Sequence, residues 1–233
     1  MPTRIEWCDE TINPLGHGCY GPGGTKGSPL VCEYCYAAKM AKRNMRGCEI
    51  CKQFVPHQHF EQLEKLAKWK KPRTIFVQSM GDMFHDAILD EWIKAVFEAC
   101  ANAPQHRYLF LTKNPKRYLE LYENKGFPYG KNCWFGATVT GPDDPFHWFR
   151  DTPYHSFISI EPLLASMGNY EGEHWPEWVI IGAETGNRKN KVIPERGWIK
   201  EIAAQCREWR IPVFMKRSLA DIWGEPLIQE CPW

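Results

Sequence analysis

From residue 60 to the C-terminus, short apolar runs alternate with amphipathic stretches, and this rhythm restricts the fold more than any other feature of the chain. RTIFVQSM, RYLFLT, NCWFGATVT, HSFISIEPL, EWVIIGAET and PVFMK read as strands. Their nearly continuous apolar character is that of strands buried on both faces. FEQLEKLAKW, LDEWIKAVFEAC, KRYLELYENK and RGWIKEIAAQCREW space their apolar residues at the helical period. A further strand is expected near Thr11 to Leu15. Strands alternating with helices imply right-handed βαβ units and a parallel sheet. The expected fold is therefore α/β, a partial (β/α)6-type or full β/α barrel with an N-terminal cysteine-rich loop. One domain over 1–233 is expected, with the cysteine-rich loop, first helix and an insertion in 1–59 and the remaining β/α units in 60–233.

Strand ends in such folds carry the chemistry, and most of these runs end in polar residues: Ser79-Met80-Gly81-Asp82, Thr112-Lys113, Thr138, Glu161, Glu184 and Lys216. Composition adds few constraints. Hydrophobic residues make up 43% and charged residues 24%, as in ordinary globular proteins. The net charge of +1 excludes a global basic field of the kind that drives non-specific nucleic-acid binding. Local basic clusters (Lys39, Lys42, Arg43, Arg46; Lys65, Lys68, Lys70, Lys71, Arg73; Arg188, Lys189, Lys191) read as solvated helix faces and loops. The charged N-terminus MPTRIEWCDE has no apolar core of a secretory signal. No apolar run approaches the roughly 20 residues of a membrane span. A cytoplasmic protein without membrane partners is expected.

Ten cysteines in a reducing compartment are poor disulfide candidates, and six of them lie in the first 55 residues. Two ligand sets compete there. In the first, Cys19-x12-Cys32-x2-Cys35 hold three irons of a [4Fe-4S] cluster, on a Gly/Pro-rich loop that is neither helix nor strand. In the second, Cys32-x2-Cys35-x12-Cys48-x2-Cys51 form a zinc ribbon in a nucleic-acid or protein interaction module. Spacing alone favours the ribbon. Against it, Cys19 and the glycine loop go unexplained, and YAAKMAKRNMRG between the pairs reads as a helix that Gly47 stops. Cys48, Cys51, His57 and His59 form a further candidate site of zinc type, against which stands an ordinary set of surface residues.

Cys32-Glu33-Tyr34-Cys35 resembles the radical S-adenosylmethionine signature, whose last part is Cys-x-aromatic-Cys. IEWCDETINPLGHGC, CEYCYAAKMAKR, RTIFVQSMGDMFHD, FLTKNP, FISIEPLL and WVIIGAETG together resemble a phage-associated, three-Cys-motif family of that kind. The resemblance implies a cluster on Cys19, Cys32 and Cys35 whose open iron takes S-adenosylmethionine. The protein would then cleave S-adenosylmethionine to a 5′-deoxyadenosyl radical that abstracts hydrogen. It further implies Tyr34 near the adenine, and Ser79, Gly81 and Asp82 at the amino-group segment. Lys113 would meet the methionyl carboxylate, and Thr138 and Glu161 the ribose or methionyl part. Asp82 departs from the usual Gly-Gly-Glu pattern. A nucleic acid or nucleotide substrate, an electron donor such as flavodoxin or ferredoxin, and a host-cytoplasmic location follow by the same analogy.

Other residues read as structural. Cys100, Cys133 and Cys206 fall in helix or strand patterns, as do Trp134, Trp178 and Trp198. His85, Asp86 and Glu184-Thr185-Gly186-Asn187-Arg188 lie in loops, where local hydrogen bonds compete with a role at a site. Trp7, Trp148 and Trp175 also lie in loops, where packing competes with stacking on a base.

Overall fold

The computed structural model describes residues 3, 5–44, 48–127, 130–146, 154–170 and 175–233. Met45, Arg46, Gly47 and Trp148, invoked above, lie outside them. The strands are β1 (Glu10–Ile12), β2 (Thr74–Val77), β3 (Arg107–Thr112), β4 (Cys133–Val139), β5 (His155–Ile160), β6 (Trp178–Ile181) and β7 (Val213–Met215). The helices are α1 (Tyr36–Asn44), α2 (Glu49–Lys52), α3 (Glu64–Lys68), α4 (Asp90–Ala101), α5 (Lys116–Lys125), α6 (Arg196–Glu208) and α7 (Ala220–Trp223). The strands form one sheet in chain order, β1 through β7. This is the singly wound order of a partial β/α barrel, without the reversal that marks a doubly wound sheet. The chain divides into two compact units, Met1–Phe135 and Gly136–Trp233.

In the first unit β1 pairs with β2 and β2 with β3, all parallel, with Ile12 opposite Val77 and Val77 opposite Phe110. The register brings the carboxyl ends of the three strands side by side. Beneath them lies an aromatic core. Phe84 packs on Tyr118 at 4.5 Å, Phe97 on Phe110 at 4.7 Å, and Tyr118 on Phe135 at 4.9 Å between ring centroids. Ring pairs at these spacings add stabilisation to that of area burial. Helix α4 turns Ile93, Val96, Phe97 and Cys100 inward and opens with Asp90 and Glu91 in its first turn, where the helix dipole favours them. Helix α5 ends on Gly126 at φ 58°, the left-handed cap that glycine adopts without strain.

The stretch FEQLEKLAKW is expected as one helix but forms a 3-10 turn, Phe60–Gln62, followed by the short α3. A tertiary demand is visible there: the Gln62 side chain accepts the Asn13 N–H at 2.9 Å. Short helices depend on such contacts more than on propensity.

In the second unit β5 pairs with β6 and β6 with β7, again parallel. Ile158, Ile160, Val179, Ile181, Val213 and Met215 pack with Ile199, Ile202 and Cys206 of α6 in one apolar cluster. The C-terminal tail covers the β7 edge. Met215 N–H donates to Ile228 O at 2.7 Å, and Glu230 N–H to Val213 O at 2.8 Å. An edge paired in this way cannot recruit a strand from another chain. Cys100, Cys133 and Cys206 are buried, as expected, and burial pushes the thiols of Cys133 and Cys206 up to about 12. No helix among the described residues is long and apolar enough to cross a membrane.

Candidate metal centres

Cys48, Cys51, His57 and His59 bring one ligand atom each to within 4.8 Å of one another. Cys48 caps α2, and its Sγ accepts the Cys51 N–H at 3.5 Å, which sets the two thiols on one side of a single turn. The chain then returns so that His57 Nε2 lies 3.2 Å from Cys48 Sγ and 3.6 Å from Cys51 Sγ. His59 Nε2 lies 3.5 and 3.6 Å from the same sulfurs. The far side of each ring is held: His57 Nδ1 by Val55 O at 2.8 Å, His59 Nδ1 by Glu61 Oε1 at 2.6 Å. Partners of this kind orient the imidazoles of metal sites. The Cys48 thiol is drawn down to about 6, first by the Cys51 N–H and then by His59, so its thiolate is accessible near neutrality. This group can bind a metal ion. It uses Cys48 and Cys51 with two histidines, where the ribbon reading would pair them with Cys32 and Cys35.

The other three cysteines lie along the Gly-rich loop and the start of α1. Gly21 N–H donates to Cys19 Sγ at 3.2 Å, and Ala38 N–H to Cys35 Sγ at 3.4 Å. Cys19 and Cys35 pack together against Ala37, Ala41, Phe54 and Met80. Burial, then the Asp82 charge, pushes the Cys19 thiol up to about 12. Cys35 is raised by burial first; Cys32 adds to the rise and Lys113 opposes it. The Asp82 charge thus reaches Cys19, and the Lys113 charge reaches Cys35. Lys113 Nζ stands 5.5 Å from the centroid of the Tyr34 ring.

Asp82 is fixed at this end of the unit. Its carboxylate accepts Thr112 Oγ1–H at 2.8 and 2.9 Å, Lys113 N–H at 3.0 Å and, as a local turn, Phe84 N–H at 3.0 Å. That uses three of about four acceptor positions of a carboxylate. Ser79 offers its carbonyl to Tyr36 O–H at 2.6 Å and its hydroxyl to Asn13. Gly81 bridges to Gly18, and a Cβ on it would stand 2.0 Å from Gly18 O, so glycine is required by backbone contact. Thr138 and Glu161 belong to the second unit. Thr138 is the half-buried position of an otherwise buried β4, and Glu161 pairs with Lys216 at the ends of β5 and β7.

A family model described as a protein of unknown function, DUF5131, matches residues 2–226. The chain belongs to the DUF5131 family. No curated protein and no solved structure matches it.

Several residues of this DUF5131 chain escaped the sequence reading. Glu61, two positions from His59, and Val55, two positions before His57, hold the rings from behind. Gly16 packs on both rings: a Cβ there would lie 2.6 Å from His57 Cε1. The carboxylate beside a Cys/His cluster was the legible signal; the glycine contact was not. His85 accepts the Ala87 N–H at 3.0 Å and packs edge-on to Tyr20, the local role weighed for it. Trp7 is buried against Phe76. Glu184 is paired through both oxygens with Arg188 at 2.7 Å.

Proposed function

We propose that this protein is a radical S-adenosylmethionine enzyme whose cluster sits on Cys19, Cys32 and Cys35. The observation that supports the reading is geometric: Cys19 and Cys35 pack on one apolar cluster with Met80, Lys113 N–H donates to Asp82 at 3.0 Å, and Lys113 Nζ lies 5.5 Å from the Tyr34 ring, which draws three distant parts of the sequence to the carboxyl ends of adjacent strands. The donor set suits an iron–sulfur cluster. It offers three thiols, two of which already receive backbone N–H groups, and hydrogen bonds to sulfur are one means of tuning such clusters. Once bound, the cluster would supply the electron that splits S-adenosylmethionine.

The chain's own residues supply position and charge. The Lys113 ammonium, beside Cys35 and over Tyr34, attracts a carboxylate. The half-buried Tyr34 ring offers a face for an adenine. Asp82 keeps one acceptor position for an amino group. Substrate choice, with a nucleic acid or nucleotide as the candidate, and the electron donor are inferred from the family resemblance alone.

Anaerobic reconstitution with iron and sulfide, followed by S-adenosylmethionine and reductant, tests the reading. Iron, sulfide and 5′-deoxyadenosine are expected, and Cys32→Ala should lose all three. A colourless product, or 5′-deoxyadenosine formation that survives Cys32→Ala, refutes it. A second reading, a zinc-binding interaction module, is favoured by the Cys48, Cys51, His57 and His59 group. The same experiment separates the two, because such a module makes no 5′-deoxyadenosine.

A further inference from the structure

We infer that Cys48, Cys51, His57 and His59 hold one Zn2+ ion as a closed structural site, and that this ion locks the segment 13–19 that presents Cys19. The first part rests on the two histidines. A backbone carbonyl can only accept, so His57 Nδ1 carries the hydrogen it shares with Val55 O. A carboxylate oxygen likewise accepts, so the 2.6 Å contact between His59 Nδ1 and Glu61 Oε1 places the His59 hydrogen on Nδ1. With its hydrogen on Nδ1, each ring in its neutral form turns a bare Nε2 lone pair inward, and the two Nε2 atoms are 2.8 Å apart. Facing lone pairs at that distance require a cation between them. A proton would serve the two rings and leave both thiols outside the arrangement. A tetrahedral ion serves all four donors. With bonds of about 2.0–2.3 Å it would set N–S separations near 3.6 Å and an N–N separation near 3.3 Å, against 3.2 to 3.6 Å and 2.8 Å here, so the ion would spread the two rings slightly. Two thiolates and two imidazoles in a tetrahedron are a zinc set. With four protein ligands no coordination position is left for substrate.

The second part follows from what the metal loop touches. His57 N–H donates to Leu15 O at 3.2 Å, His59 N–H to Pro14 O at 2.7 Å, and Cys19 N–H to Phe54 O at 3.4 Å. His17 N–H donates to Cys51 Sγ at 3.4 Å. The opposite side of the segment is held by the end of β2. Gln78, buried and at φ 65°, accepts Leu15 N–H at 3.0 Å and donates to Gly16 O at 2.9 Å, and Gly18 N–H donates to Met80 O at 3.1 Å. Segment 13–19 is thus gripped between a wall built on the sheet and a wall built on the metal. Loop 48–59 carries the four-residue α2 and little other regular structure, so the ion is what fixes that second wall.

The test needs neither cluster nor S-adenosylmethionine, so its failure is distinct from failure of the proposed activity. Full-length protein carrying Cys32→Ala and Cys35→Ala is analysed for metal and for backbone amide exchange, loaded with Zn2+ and after chelation. One zinc per chain is expected, and Co2+ in its place should give the intense visible bands of a tetrahedral thiolate site. On chelation, exchange at His17, Cys19, His57 and His59 should rise at least about 10-fold, while the β3 amides stay protected. Glu61→Gln leaves all four donors in place and should weaken zinc about 10–100-fold without removing a ligand. Absence of zinc and of Co2+ bands overturns the site. Zinc binding without a change in exchange at His17 and Cys19 overturns the lock.

Discussion

Asp82→Ala tests whether the ends of β2 and β3 are tied by a carboxylate. The substitution removes the acceptor of the Thr112 hydroxyl and of the Lys113 and Phe84 N–H groups. Thr112 is 2% exposed, so its hydroxyl has little access to water in exchange. Hydrogen bonds to a charged group contribute about 1.5–3 kcal/mol each, giving about 4.5–9 kcal/mol for three. Asp82 itself is half-buried, and water can enter behind a missing carboxylate, so about half, ~2–4 kcal/mol, is the expected loss of stability. Asp82→Asn keeps one acceptor oxygen and should lose ~1–2 kcal/mol. Urea unfolding followed by tryptophan fluorescence and by far-UV circular dichroism measures both variants; coincidence of the two probes is required in a chain of two units. A double-mutant cycle with Thr112→Val should show coupling of ~1–2 kcal/mol. The tie is refuted if Asp82→Ala stays within about 0.5 kcal/mol of the parent or if the two substitutions are additive. The same variants report on Cys19. Burial is the main cause of its raised thiol pKa and the Asp82 charge the next, so removing the charge lowers that pKa. Alkylation of Cys19 at pH 8 in cluster-free protein should then be faster.

Gly81→Ala forces a Cβ onto the Gly18 backbone and should cost at least ~1–3 kcal/mol, whereas Gly197→Ala in α6 meets nothing within 4 Å and should gain up to ~1 kcal/mol; thermal melts that rank them the other way would refute the close approach. Arg188→Met leaves the Glu184 carboxylate, whose side chain is 1% exposed, without its guanidinium, and should cost ~3–5 kcal/mol; a melt within about 2 °C of the parent would show that the pair is not structural. Stability should also fall in alkali. The Cys133 and Cys206 thiols have folded pKa values raised above 9.0, so their contribution is intact below pH 9 and is lost as pH rises towards 12, when the unfolded chain ionises first. Cys133→Ala should flatten that part of the stability–pH curve, and an unchanged slope would refute the assignment.

The strands and the large helices were legible because period and burial coincide in them. RYLFLT and KRYLELYENK correspond residue for residue to β3 and α5. Apolar content, turn residues and alternation are local quantities, and a singly wound parallel sheet amplifies them. FEQLEKLAKW forms a 3-10 turn and a short helix in place of one helix, and the Gln62 side chain there takes a long-range bond from Asn13 that no local property encodes.

The candidate sites divide in the same way. Residue type and spacing named Cys48, Cys51, His57 and His59 as one of two ways to use a CxxC pair. Tertiary structure chose between them, because the return of the chain after α2 brings two imidazoles to the thiols and sets Glu61 and Val55 behind them. Sequence likewise nominated Asp82 and Lys113, but it could not show that Thr112 and two backbone amides occupy most of the Asp82 carboxylate. Ligand identity is written in side-chain chemistry, which a sequence displays directly. Lone-pair direction and free acceptor capacity depend on which distant groups arrive at the same place, and folding alone decides that.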